Sequence, residues 1–340
     1  MGSMWFRRVC GAVTVGLAAA VCVPAGASAE PGPGSSTAGE RTSELSHIEV
    51  ENDRTVIAHV YSASMDTVVP LRVRMPADTS EPRPTLYLLN GSGGGQGIAT
   101  WDEQTDVDEF FADKNVNVVT PLGGRYSYYT DWERDDPELG RNKWTTFLTE
   151  ELPPIIDEQF ETTGANAIAG LSMSGTSVLG LATAAPELYR AVGAYSGCAE
   201  TSTPVGQAYV QAVVRAKGGD PENMWGPVGG PGWIENDPYL NAEKLRGVEL
   251  YVSAATGLPG EHDQLSSRSI NYDPLGLVGQ LVVGGSIEAA VHHCTTRLAE
   301  RLEELEIPAH FEWRNGTHSW DYWEDDLHKS WPMMAAAIGL

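Results

Sequence analysis

Basic residues are scarce in this chain: 22 Lys and Arg stand against 46 Asp and Glu, for a formal net charge of −24. No stretch gathers Lys and Arg into a patch, so the phosphate neutralisation that drives nucleic-acid binding has no source, and nucleic acid is excluded as a partner. The acidity describes a solvated surface that repels other copies and does not select a substrate. Cysteine is rare too, with four in 340 residues. Neither C-x-x-C nor H-E-x-x-H spacing occurs, which removes the familiar zinc arrangements. The glycine-rich stretch 91–95 lacks the lysine of a phosphate-binding loop. No metal and no cofactor are expected, and no internal repeat is evident.

Long apolar runs are also few. Residues 9–23 follow Arg7 and Arg8 and precede Ala27-Ser28-Ala29, a small-x-small cleavage pattern. Residues 1–29 therefore read as a secretory leader cut near Ala29, too short and wrongly flanked for an integral membrane span. The expected location is secreted or in the cell envelope. Cys22 has Val21 before it, where a lipid-attachment site needs a small residue. Removing the leader leaves Cys198 and Cys294, which an oxidising compartment would pair; two separate buried thiols are the alternative.

Residues 30–46 are rich in Pro, Gly and Ser and read as a disordered tether. Residues 47–340 read as one catalytic domain. Three antiparallel strands are expected over 48–54, 55–63 and 68–75, then strands over 85–90, 116–121, 165–171, 191–196, 248–254 and 309–314. Helical patterns at 107–114, 145–160, 175–185 and 287–305 alternate with them. Together they predict a mostly parallel sheet with helices on both faces, which with the strand–turn–helix elbow at 170–175 is the α/β-hydrolase fold. Residues 201–247 hold many Gly, Pro and Trp residues and read as an insertion over the site, and 258–285 as loop.

The stretch Gly170-Leu-Ser172-Met173-Ser174-Gly175 joins a strand to a small-residue helix. Such an elbow lifts the hydroxyl of Ser172 above the sheet and needs small neighbours. The usual second glycine is replaced by Ser174, with Gly175 one residue later. A helix N-cap is the competing role for Ser172. A serine nucleophile needs a base and an orienting carboxylate, in the chain order Ser, acid, His. His318 follows the last strand and is the expected base, whereas His292 and His293 lie on a helix. The acid is expected after the strand 248–254, with Glu261 first and Asp263 second. Backbone amides of Met173, after the serine, and Ser92, in the glycine loop, are the expected oxyanion donors.

The stretches LYLLNG, TPLGGRYSYYTDW, KWTTFLTEELP, GLSMSG, ATGLPGE and NGTHSWDYW resemble the antigen 85 type of mycolyltransferase, especially its corynebacterial members, over roughly residues 55–335. The resemblance implies transfer of a mycolyl chain from trehalose monomycolate to a second trehalose monomycolate or to cell-wall arabinogalactan. It assigns Ser172, Glu261 and His318 as the triad. It also places substrate contacts at Ser92, Gly93, Glu200, Ser319 and Trp320. Asn90 and Gly93 stand where mycobacterial members carry charged trehalose contacts, which leaves acceptor preference open. A secreted carboxylesterase and a non-catalytic wall-binding protein are the alternatives.

Overall fold

The computed structural model describes residues 41–340. The expected leader over 1–29, and the expected tether up to residue 40, lie outside the described residues. Nine strands form one sheet in the order β1-β2-β3-β5-β4-β6-β7-β8-β9. They are β1 (Glu44–Val50), β2 (Thr55–Ser62), β3 (Thr67–Arg74), β4 (Thr85–Leu89), β5 (Asn117–Pro121), β6 (Asn166–Leu171), β7 (Tyr189–Tyr195), β8 (Glu249–Ala255) and β9 (His310–Arg314). Pairing is antiparallel from β1 to β3 and between β3 and β5, and parallel from β5 through β9. β1 begins at Glu44, so the last residues of the expected tether are strand: Leu45 and Ile48 pack on the core despite the polar residues around them.

Alternation along β4 shows why helices cover both faces. Tyr87 and Leu89 enter one apolar cluster, Leu86 and Leu88 the other, and all four are fully buried. Successive side chains of a strand point to opposite faces, so a continuous apolar run requires two covering layers. The chain leaves β4 for β5 on one side and reaches β6 on the other. The strand order reverses direction between β4 and β6, and the carboxyl ends of strands at such a switch point are where ligands bind in open α/β sheets.

Residues 201–247 form short helices, the longest Pro204–Arg215. Their Val210, Val214, Met224, Trp225, Trp233 and Leu245 join the main core. Of the residues expected as loop over 258–285, those up to 273 are turns and loop, but 274–285 are helical, because Pro274–Glu304 is one continuous helix with a π-helical turn at Gln280–Gly284. By length and composition alone it is the one helix among the described residues that could cross a membrane. Its segment Gly285–Glu304 buries Glu288, Val291, Thr295, Leu298 and Leu302 along one stripe, the three-and-four spacing of a core-facing helix. Cys294 on this stripe is disulfide-bonded to Cys198 after β7. A C-terminal helix, Trp320–Ala337, closes the fold.

Candidate active site

Ser172 sits between β6 and the helix Met173–Ala184 with φ 55° and ψ −121°. That backbone is costly for a residue with a Cβ and persists only where its surroundings enforce it. The surroundings are tight. A Cβ on Gly170 would lie 2.5 Å from Ser174 Oγ and 2.9 Å from Ser174 O, and one on Gly175 would lie 2.6 Å from Tyr195 O. Ser174 replaces the usual glycine without harm because its hydroxyl braces the turn: it accepts from Leu171 N at 2.9 Å and lies 3.0 Å from Leu171 O. Ser172 makes no side-chain cap bond, so the N-cap role is set aside.

The hydroxyl of Ser172 instead meets His318 Nε2 at 2.8 Å, and His318 Nδ1 meets Glu288 Oε1 at 2.7 Å. His318 is held from behind by Trp323, edge-on at 4.8 Å, and its amide donates to Gly284 O at the π-helical turn. Glu288 is fully buried. Burial alone would raise its pKa, but the His318 imidazole, the Ala255 amide and the Ser196 hydroxyl outweigh it and hold the carboxyl below its ordinary value. A carboxylate buried with these partners is ionised and fixes the imidazole tautomer.

Glu288 replaces Glu261, which is a correction. Glu261 is exposed and stands in no hydrogen bond with His318. Asp263 is not the acid either. It accepts from Thr317 Oγ1 at 2.5 Å, Tyr322 Oη at 2.9 Å and Gln280 Nε2 at 2.8 Å, and so braces the loop that carries His318. The carboxylate comes from a helix rather than from the loop after β8 because Gly285–Glu304 packs against β8, and Glu288 Oε2 takes the otherwise free amide at that strand's last residue, Ala255, at 2.9 Å. A signal for it exists in the sequence: Glu288 is the one acid on the apolar stripe of its helix.

The loop after β4 abuts the elbow, since a Cβ on Gly91 would stand 3.7 Å from Ser172 Cβ. Gly94 has φ +61°, and a Cβ there would collide with the Arg125 backbone. The amides of Ser92 and Met173 find no acceptor among the described residues. Asn90 is buried and its Oδ1 accepts from Trp101 N at 3.0 Å, so it anchors this loop. Gly93 is half-buried in the same loop. Tyr209, on Pro204–Arg215, lies near Ser172, whose hydroxyl works against the burial that raises the Tyr209 pKa, a neighbour that sequence patterning did not reveal.

The expected sugar contacts fare unevenly. Glu200 is 1% exposed and paired with Arg297 Nε at 3.0 Å, so it cannot meet a ligand from solvent. Ser319 is likewise buried, at the N-cap of the C-terminal helix. Trp320 is half-buried and packs edge-on against Trp101 and Trp323. Trp233, on the short helix Pro231–Glu235, is fully buried against Trp225 and offers no face to a sugar ring.

A doubly covered, mostly parallel sheet with a serine at its central elbow, an imidazole beside it and a carboxylate behind defines an α/β-hydrolase-fold protein. The Esterase family model matches residues 62–334. The chain belongs to that family, on the branch of the antigen 85-type mycolyltransferases. It is 30% identical over 273 residues to the diacylglycerol acyltransferase/mycolyltransferase Ag85A of Mycobacterium leprae, covering 75% of this chain and 76% of that protein. It is also 30% identical over 267 residues to Ag85B of Mycobacterium intracellulare, covering 75% and 76%. Among solved structures, MPT51 of Mycobacterium tuberculosis matches with a TM-score of 0.66 at 23% identity, over 82% of this chain and 96% of that one. An S-formylglutathione hydrolase from Agrobacterium tumefaciens matches at 0.61 and 15%, over 87% and 100%. These two likenesses speak to the fold. The chain is an acyl-transferring or esterase enzyme.

Proposed function

We propose that this enzyme is a secreted serine acyltransferase that moves a mycolyl group between sugar hydroxyls. The observation that carries the reading is the in-line contact of Ser172, His318 and Glu288, at 2.8 and 2.7 Å. His318 takes the Ser172 proton as Oγ attacks the donor ester carbonyl, and Glu288 stabilises the imidazolium. The Ser92 and Met173 amides receive the developing oxyanion; losing one such donor typically costs about 3 kcal/mol. His318 returns the proton to the departing sugar, leaving an acyl ester on Ser172. A second sugar hydroxyl, deprotonated by His318, then takes the acyl group.

Transfer in preference to hydrolysis requires an acceptor bound beside the acyl-enzyme, so that its effective concentration exceeds that of water. The names of the relatives at 30% identity, diacylglycerol acyltransferase/mycolyltransferase, support transfer of a mycolyl group; the donor proposed is trehalose monomycolate and the acceptor trehalose monomycolate or arabinogalactan. Export through the leader at 1–29 fits the cysteine pair, which needs an oxidising compartment. Incubation with trehalose monomycolate followed by lipid chromatography tests the reading. Trehalose dimycolate is expected; free acid alone, with trehalose present, would make the enzyme a hydrolase. A serine-directed fluorophosphonate is expected to label the wild type, and labelling that persists in Ser172→Ala would refute the assigned nucleophile.

A further inference from the structure

At the edge of the sheet, four strands away from the Ser172-bearing turn, β1 and β2 bring three metal-ligating side chains together. His47 stands directly opposite His59 in the antiparallel register, next to a slip between Leu45 and His47. Glu49 lies two residues beyond His47 and so shares its face. The face is the outer one, because Val56, Ala58 and Val60 of β2 fill the core. The two imidazoles stack at 4.0 Å, 8° from parallel. His47 Nε2 lies 3.5 Å and His59 Nε2 3.4 Å from Glu49 Oε1. All three donor atoms fall within 4.8 Å of one another.

Two features distinguish this cluster from an ordinary surface pairing. Distances of 3.4 and 3.5 Å are too long for good hydrogen bonds. Each matches the spacing of an imidazole and a carboxylate on one tetrahedral ion, since donors about 2.0–2.1 Å from zinc stand about 3.3–3.4 Å apart; the stacked rings hold their lone pairs parallel, so binding requires one ring, that of the exposed His47, to turn toward the shared ion. His59 Nε2 is also shut off from solvent and has no hydrogen-bond partner among the described residues, a condition that buried ring nitrogens rarely sustain. The nearby cation is already engaged: Arg72 on β3 pairs with Glu51 and Asp102.

We propose that His47, Glu49 and His59 form a binding site for a first-row divalent ion. Two imidazoles and one carboxylate suit zinc, copper(II) or nickel, and do not suit magnesium or calcium, which take oxygen ligands. His47 and Glu49 are more than half exposed, so the remaining coordination positions face water. The ion ties β1, which pairs with β2 alone among the described strands, to its neighbour by bonds other than the ladder. This reading is independent of the acyl-transfer chemistry.

Calorimetric titration of the untagged full-length chain with zinc chloride, against magnesium chloride, tests the site. One equivalent of zinc is expected to bind, with no magnesium heat. His47→Ala and Glu49→Gln, both at exposed positions, are each expected to weaken zinc by more than the roughly 10–100-fold cost of losing an outer-sphere partner. Zinc is expected to raise the Tm of the wild type and not of His47→Ala, while ester hydrolysis by His47→Ala stays at the wild-type rate. Absence of saturable zinc binding at millimolar metal, or zinc binding unchanged in the His47→Ala/Glu49→Gln double variant, would overturn the proposal.

Discussion

Replacing Glu288 by glutamine keeps its volume and removes its charge, at a position where nothing from solvent can compensate. Three partners feel the change: His318 Nδ1 at 2.7 Å, the Ala255 amide at 2.9 Å and the Ser196 hydroxyl. The amide side chain can offer its oxygen to Ala255 only by turning its NH2 toward His318, which reverses the imidazole tautomer. The lost interaction with the imidazolium that forms on attack can be sized. At ~4 Å between charge centres and an effective dielectric of about 20, it is worth about 4 kcal/mol. That corresponds to roughly a thousandfold in rate. The assay is kcat/KM for a p-nitrophenyl ester, with the Tm of each variant measured alongside. Glu288→Gln is expected to lose about a thousandfold, and Glu261→Gln to remain within about threefold of wild type. If Glu261→Gln lost the activity while a folded Glu288→Gln kept it, the assignment of the acid would be wrong.

Three further outcomes follow from the same geometry. Glu288 has a folded-state pKa below its unfolded value, so its stabilising contribution is complete above about pH 4.5 and drains as pH falls through the depressed value; Tm measured from pH 5 to pH 3 should fall less steeply in Glu288→Gln than in wild type. Tyr209→Phe removes one hydroxyl near Ser172 and should lower kcat/KM by no more than about tenfold, the upper value of one hydrogen bond, without changing the urea midpoint. The Cys198–Cys294 bridge closes a loop with a sequence separation of 96; urea unfolding of Cys198→Ser/Cys294→Ser should show a loss of about 2–5 kcal/mol, and an unchanged midpoint would mean that the helix is held without it.

What the sequence disclosed depended on whether the signal was local. β4 and β6 are continuous apolar runs between turn residues, and their strand positions are readable within a residue or so. Ser172 follows β6 directly and His318 comes four residues after the end of β9, and their short motifs announce them. Glu288 lies 30 residues before His318, on a helix whose other features are those of ordinary packing. The loop 256–263 offered carboxylates where the acid was expected, and only tertiary contacts show Asp263 tied to Thr317 and Tyr322. The helix Trp320–Ala337 went unread because Asp326 on its buried face and Pro332 in its interior break the apolar pattern; Asp326 is buried because Arg314 pairs with it at 2.6 Å. The proposed metal site is not legible in the sequence for a related reason, since His47 and His59 meet only across two strands.

The order of the reactive groups along the chain has a consequence for synthesis and turnover. Ser172 lies 146 residues ahead of His318, and Glu288 falls between them on a helix covalently tied back to the sheet. A polypeptide interrupted anywhere after the elbow and before the last strand owns a hydroxyl but no base, and is chemically silent toward esters. Turnover of a chromogenic ester therefore reports that synthesis has passed His318 and that the chain has folded around it, and copies unfinished before that point are inert.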